Sequence, residues 1–404
     1  MKKQVNIILT GLNGYGKNFV KEMLNDNNDN YKLVAVVSGN PEKNEYYTTL
    51  IKHGVKIYDT IENCLGENKV DLAIITTPVH IHYNEVICAL NHGANVFCEK
   101  PLAPTIDECL EIQKLSKKTN LFVAVDFQWS YSKAIQNLKK DILSNKFGEI
   151  KKCKTIVQWN RPKSYFKNSN WKGKNVDIDG KFILDCIISN NASHFLHNIL
   201  FLSGKNLYES AYPISIEGEG YKANKVDGYD TIFMRINTDA NCDLLLLATI
   251  ATNNVKHPIF EIEFEEATVC YNPNEAINII VKTRSGKIIE YGSPEEGRFT
   301  HWLSAVNSII SGEKVACNLN TTLPGIIAIN ASIENIPVVQ FEPSMIEEDE
   351  NGVWVKDIDN VLEDCFESEK LPNEIGYKWA YKSRKVDVRG YSSFSGVAKY
   401  NQCD

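Results

Sequence analysis

Glu99, Lys100 and Pro101 are the residues best placed to do chemistry, directly after the short apolar run Asn95 to Phe97. Desolvation opposes an ammonium at the end of a buried strand, so packing rarely holds a lysine there. The proline restricts the backbone of the residue before it, so Lys100 is expected to be buried and aimed. Such a lysine, its pKa lowered by desolvation, can take up and return a proton during a reaction. His194 and His197 are three apart, a spacing that suits a metal. No third ligand accompanies them, so no metal is expected. For His197 two readings stand: a substrate contact, or a helix residue packed beneath the site.

These groups need elements to position them. Val5 to Thr10 is a compact apolar run that leads into Gly11-Leu12-Asn13-Gly14-Tyr15-Gly16, and Phe19, Val20, Met23 and Leu24 follow at helical spacing. Strand, glycine turn and helix in that order make an anion site, because the helix start offers free N–H groups and a positive dipole end to a pyrophosphate. The middle glycine of the usual dinucleotide fingerprint is Asn13 here, a residue that tolerates positive φ. A plain tight turn is the competing reading.

A second strand, Leu33 to Val37, ends at Ser38, where an acid would bind a ribose 2′-hydroxyl. Without that carboxylate a 2′-phosphate meets no repulsion. Ser38 can donate to it and Lys43 can approach it, so NADP is favoured over NAD; the bland reading of Ser38 to Pro41 is a loop. Further strands are expected at Lys56 to Tyr58, Leu72 to Ile75 and Leu121 to Val125. Thr76, Thr77 and Pro78 close one of them, and a helix bearing His82 follows and stops at Gly93. His82 either lines the cofactor cleft or is a satisfied packing residue. Thr105 and Glu108 form a capping box for the next helix. Strand and helix alternate, which implies a doubly wound parallel Rossmann sheet with ligands at its carboxyl edge.

After Phe127 the alternation stops. Strands are expected at Lys151 to Trp159, Ile214 to Tyr221, Thr231 to Ile236, Leu244 to Ile250, Phe260 to Phe264 and Ile277 to Val281, several with clean period-two patterning. The fold class is therefore α/β plus α+β: a Rossmann domain over 1–127, then a large, open, mostly antiparallel sheet with helices on one face over 128–340. An extension over 341–404, acidic and then Lys/Tyr-rich, is expected to pack back on the body. Helices are expected across Phe299 to Gly312 and Ile326 to Ile333.

At this point the chain resembles the Gfo/Idh/MocA family of sugar and polyol dehydrogenases. The resemblance rests on the glycine loop, Thr77-Pro78-x-x-x-His82, Ala89-Leu90-x-x-Gly93-x-x-Val96-x-x-Glu99-Lys100-Pro101, Phe127-Gln128-Trp129 and Phe147-Gly148-Glu149-Ile150. It covers about residues 5 to 160, 180–204 and 298–324. The Ser38-Gly39-Asn40-Pro41 stretch is similar to the NADP-using glucose–fructose oxidoreductase branch.

What the resemblance implies is reversible hydride transfer between a sugar or polyol C–OH and nicotinamide. Gly11 to Gly16, Ser38, Lys43, Thr76 to Pro78, His82, Glu99, Lys100 and Gln128 would meet the cofactor. Lys100 and His194 would handle the proton, and Arg161, Trp171, Asn190, Asn191, His194 and His197 would line the substrate cleft with Lys100. The family pattern Asp-x-Gly-x-His-x-x-Asp is changed, with Asn190 at the first acid and His197 at the second. Arg161 is read either as a bidentate substrate ligand or as a surface ion pair. The family also implies a homodimer or homotetramer through the second sheet.

Composition narrows the partners. The 404 residues carry 44 Lys and Arg against 51 Asp and Glu, a net charge of −7, which argues against nucleic acid and anionic membranes. Eleven scattered cysteines without a Cys-x-x-Cys pair read as reduced thiols in a cytoplasmic protein. Met1-Lys2-Lys3 is followed by too short an apolar run for a signal peptide, and no stretch is long enough to span a bilayer. Two rival readings stand beside the dehydrogenase: a non-catalytic dinucleotide- or sugar-binding regulator, and a glycosidase that uses NAD as a bound redox relay.

Overall fold

The structure, a computed structural model, describes residues 4–398. The chain forms two compact units, Met1–Ser132 with Glu295–Thr322, and Lys133–Pro294 with Leu323–Asp404. Met1 to Lys3 and the last six residues of the extension lie outside the described residues.

The first unit runs β1 (Val5–Thr10), α1 (Gly16–Asn25), β2 (Tyr31–Val37), α2 (Tyr47–Lys52), β3 (Lys56–Tyr58), α3 (Ile61–Glu67), β4 (Leu72–Ile75), α4 (Val79–Asn91), β5 (Asn95–Cys98), α5 (Ile106–Thr119) and β6 (Val123–Val125). Every strand pairing is parallel, in the order β3-β2-β1-β4-β5-β6. This is why its strands read as unbroken apolar runs: Ile7, Ile8 and Leu9 are all fully buried, since helices cover both faces. Thr105 and Glu108 form the expected capping box at the start of α5.

The second unit continues with α6 (Lys133–Leu143), β7 (Ile150–Asn160), α7 (Lys163–Lys167), α8 (Ser193–Leu202), β8 (Pro213–Lys222), β9 (Thr231–Thr238), β10 (Asp243–Thr249), β11 (Ala251–Phe264), β12 (Ala267–Asn272), β13 (Ala276–Thr283) and β14 (Ile288–Gly292). The chain then returns to the first unit, where α9 (Leu303–Ser311) adds Ala305 and Val306, with Trp302 just before it, to the core around β1 and α1. After α10 (Leu319–Asn335) come β15 (Val338–Gln340), β16 (Ile346–Glu348), β17 (Val353–Val355), α11 (Ile358–Ser368), α12 (Pro372–Ile375) and β18 (Val386–Asp387). The large sheet has the order β14-β13-β12-β11-β7-β10-β9-β8-β15, with β18 also on β8. It is antiparallel except at β10–β7 and β15–β8. All six expected strands are present; β12, β14 and the short strands β15 to β18 were not foreseen.

Helices lie on both faces of this sheet rather than on one. Cys153 of β7 reaches Ser203, just past α8, at 3.5 Å, while its neighbour Lys154 donates to the Phe366 carbonyl of α11 at 3.2 Å. Adjacent strand residues point to opposite faces, so α8 and α11 cover opposite sides. The cause is the stripe Ile358, Val361, Leu362, Cys365 and Phe366, which packs on Ile156, Phe233, Leu245 and Leu247. Lys152–Glu369 at 2.6 Å and Arg235–Glu374 at 2.8 Å border that contact.

Among the described residues no helix is long and apolar enough to cross a membrane, and no three His, Cys, Asp or Glu side chains gather as a metal would require. The ten described cysteines form no disulfide.

Candidate active site

In a parallel sheet the strand ends all fall on one edge. Here that edge carries the Gly11 loop after β1, Ser38 after β2, Thr76 to Pro78 after β4, Glu99 to Pro101 after β5 and Asp126 to Gln128 after β6. The strand order reverses between β1 and β4, where a crevice for a ligand opens. Gly11 has φ +85°, and a Cβ there would lie 2.6 Å from the Thr76 carbonyl carbon. Asn13, at the middle position, does not have positive φ; its amide donates to the Asn40 carbonyl at 2.7 Å and ties the loop to the turn after Ser38. The turn survives because that position needs no left-handed residue. Tyr15, the N-cap of α1, makes no side-chain cap bond, which leaves the helix start suited to an anion. Gly11→Ala should cost at least about 1 kcal/mol from the left-handed backbone alone and should weaken nucleotide binding further. Thermal unfolding and NADH fluorescence titration of the variant check both.

Leu12 and Gly16 are buried, Gly14 is exposed, Ser38 is 9% exposed, and Lys43 is on the surface. Thr76 donates to the Thr10 carbonyl at 2.6 Å, and Thr77 donates to Glu85 at 2.6 Å. Burial raises the Glu85 carboxyl's pKa. His82 is 1% exposed, with its ring nitrogens against the Pro101 carbonyl at 2.9 Å and the Thr77 carbonyl at 2.6 Å. Burial outweighs those carbonyls and lowers its pKa to about 4. His82 thus pins the Thr77 turn to the Lys100 turn and can influence a cofactor only through them.

Lys100 is partly exposed rather than buried, because β5 ends at Cys98 and the packed residues resume at Leu102. Its backbone N–H donates to Glu99 Oε2 at 3.2 Å, and the Lys100–Pro101 bond is cis. Gln128 opens a short 3₁₀ turn, Gln128–Tyr131, and is partly exposed.

Behind Lys100 lies a group that sequence reasoning missed. The Glu99 carboxyl lies beside that of Asp126, and Asp126 Oδ1 meets His301 Nε2. Asp126 is 2% exposed and His301 8%. Among the described residues neither Glu99 Oε1 nor Asp126 Oδ2 has a hydrogen-bond partner, and a proton held on Glu99 would supply one to both. Burial, then the charge of Asp126, raises the Glu99 pKa well above its usual range. The His301 ring stacks on Tyr131 at 5.5 Å. Tyr15, raised by burial and then by Asp126 and Glu99, completes the surroundings, with Arg298 opposing. Asp126 and His301 are 175 residues apart, and no local pattern links them.

The second unit holds the other predicted residues. Asn190 donates to Asp185 at 2.8 Å and to the Tyr165 hydroxyl at 3.1 Å. In the orientation that satisfies both partners, Asn191 accepts from Arg161 Nε at 3.1 Å and Nη2 at 2.9 Å. Trp171 is partly exposed in the loop after α7. Of the ten residues of α8, nine are buried and His194, partly exposed, is the exception. His197, one turn on, is 2% exposed and stacks on Phe201, under whose ring Lys139 is also buried.

Burial, and then the Lys139 ammonium, lowers the His197 pKa to about 3. The folded form is neutral while the unfolded form takes a proton near pH 6.5. Its contribution is therefore intact above pH 6.5 and falls by about 1.4 kcal/mol per pH unit as pH drops toward 3. His197→Gln should flatten this acid slope in urea unfolding at stepped pH.

Residues 5–127 match the oxidoreductase family with the NAD-binding Rossmann fold, Gfo/Idh/MocA. An uncharacterized oxidoreductase of Schizosaccharomyces pombe is 31% identical over 118 residues, 29% of this chain and 31% of the relative. The inositol 2-dehydrogenase/D-chiro-inositol 3-dehydrogenase of Halalkalibacterium halodurans is 32% identical over 119 residues, 29% of this chain and 34% of the relative. The chain thus matches about a third of the length of these curated relatives. A crystal structure of the WlbA dehydrogenase of Bordetella pertussis with NADH and UDP-GlcNAcA has a TM-score of 0.65 at 19% identity, covering 81% of this chain and 95% of that one. That likeness extends the shared fold past the Rossmann unit. Over residues 5–127 the chain is thus similar to the Gfo/Idh/MocA oxidoreductases with the NAD-binding Rossmann fold, and its fold as a whole, a Rossmann unit followed by a large mixed sheet, is that of the WlbA dehydrogenase structure.

Proposed function

We propose that this protein transfers a hydride between a nicotinamide cofactor and the C–OH carbon of a sugar, polyol or related hydroxy compound. The observation that carries the reading is the carboxyl edge of the first sheet, which carries a glycine turn without room for a Cβ and an uncapped helix start beside the strand reversal, and Lys100 after β5. These residues fit a dinucleotide: the α1 N–H groups would hold the pyrophosphate, and Thr76 to Pro78 and Glu99 would flank the nicotinamide half. NAD(P), when bound, supplies the hydride acceptor. Lys100 and His194 are the residues that would hold and return the hydroxyl proton. Similar proteins act on such compounds by name, including the inositol dehydrogenase.

The reading favours NADP, because Ser38 and Lys43 stand where a carboxylate would repel the 2′-phosphate. It places the protein in the cytoplasm. It also pairs copies through the strands that α11 leaves open, where Ile277 and Ile288 are 68% and 65% exposed.

The test is to incubate the protein with NAD or NADP and a panel of polyols, sugars and their oxidised forms, following reduced-nicotinamide absorbance. Turnover with any member supports the reading, and tighter binding of NADPH than NADH supports the cofactor assignment. Tight nucleotide binding without turnover on any substrate would point instead to a regulator.

A further inference from the structure

In the second unit two cations share one aromatic ring, and among the described residues neither forms an ion pair with a carboxylate. The Arg161 guanidinium carbon lies 5.2 Å from the Tyr165 ring centre and 5.3 Å from that of Trp159. Lys172 Nζ lies 3.7 Å from the Tyr165 ring centre. Among the described residues neither forms an ion pair, whereas nearby Lys163 pairs with Glu348 at 2.9 Å. The surface-ion-pair reading of Arg161 therefore fails. Asn191 holds Nε and Nη2 of the guanidinium, which sets the plane of the fork and leaves Nη1 unspent by that contact.

Asp185 is the neighbouring acid. Its oxygens accept from the Gly173 N–H and the Asn190 amide, so it offsets at most one of the two positive charges. Burial, and secondarily Arg161, lowers the Lys172 pKa while Asp185 opposes. Two like charges held close against an aromatic ring are stabilised by an anion placed between them. A planar guanidinium matches a carboxylate or a phosphate. Asn191 lies three residues before His194, the partly exposed residue of α8.

We propose that the hydroxyl-bearing substrate carries an anionic group, a carboxylate or a phosphate, which Arg161 and Lys172 receive. The proposal deepens the dehydrogenase reading and rests on it for the identity of the ligand as substrate.

The test uses the full chain with gluconate, glucuronate, glucose 6-phosphate, glucose and myo-inositol. Thermal shift reads binding without turnover, and nicotinamide absorbance reads the reaction. An acid or the phosphate should raise the melting temperature where glucose does not, and the acid and phosphate arms separate the two sources. Arg161→Gln and Lys172→Gln should each lower the preference for the anion over the neutral sugar by roughly tenfold. Should either variant fold poorly, the wild type still decides: rising salt should weaken the anion and leave the neutral sugar unaffected. Equal binding of gluconate and glucose, no shift with any anion, or an unchanged preference in both variants overturns the proposal. An anion shift that depends on Arg161, without turnover of any compound, keeps the site and overturns the dehydrogenase reading.

Discussion

Lys100→Met should lower turnover by roughly 10²- to 10⁴-fold, the usual contribution of a positioned proton-transfer group. The variant keeps the length and apolar stem of the side chain and removes the ammonium alone. Lys100 is partly exposed at the edge where β5 ends, and Glu99 fixes its backbone N–H. The backbone therefore has no cause to move when the head group changes. NADH affinity should stay within a few-fold of wild type, and kcat should carry the loss. A rise in KM with kcat intact would mean that Lys100 binds substrate without handling its proton. His194→Gln gives the matching test in the second unit. If each single variant loses about as much as the double variant, the two groups act as one device.

How much of this was legible along the chain depended on the range of the interactions. The Rossmann unit was readable because each of its devices is local: apolar runs for strands buried on both faces, a glycine turn, and a capping box at Thr105 and Glu108. Helix α11 was also written locally, in the spacing of Ile358, Val361, Leu362, Cys365 and Phe366. The acidic and Lys/Tyr-rich surroundings drew attention from that stripe. The placement of His82 was open because a helical histidine has the same sequence signature whether it faces a ligand or two carbonyls. The burial of Lys100 was overestimated because a strand's apolar run does not show where the strand stops being covered. Asp126 and His301 could not be joined, since α9 returns to the first unit only after the whole second sheet has been traversed.

That long-range pair supports the second large prediction. His301→Leu removes the donor to a carboxylate that is 2% exposed. A buried charge left without its partner costs about 3–5 kcal/mol, so the first unit should melt at markedly lower denaturant. Glu99→Gln should behave quite differently. Its amide N–H can serve Asp126 Oδ2, and its carbonyl can accept from the Lys100 N–H, so the geometry persists while the proton on Glu99 is gone. In the wild type the Glu99 pKa is raised in the folded state. The stability this proton gives is fully present below the unfolded glutamate's pKa, near 4.3. It is lost as pH rises toward the folded value, because the folded state then binds more protons than the unfolded one. Urea unfolding at stepped pH should show that alkaline-going component in the wild type and its loss in Glu99→Gln, with the acid slope of His197 kept in both. Infrared spectra of the wild type at neutral pH should contain the carbonyl stretch of a protonated acid, absent in the variant. If that band is missing from the wild type, Glu99 does not hold a proton against Asp126.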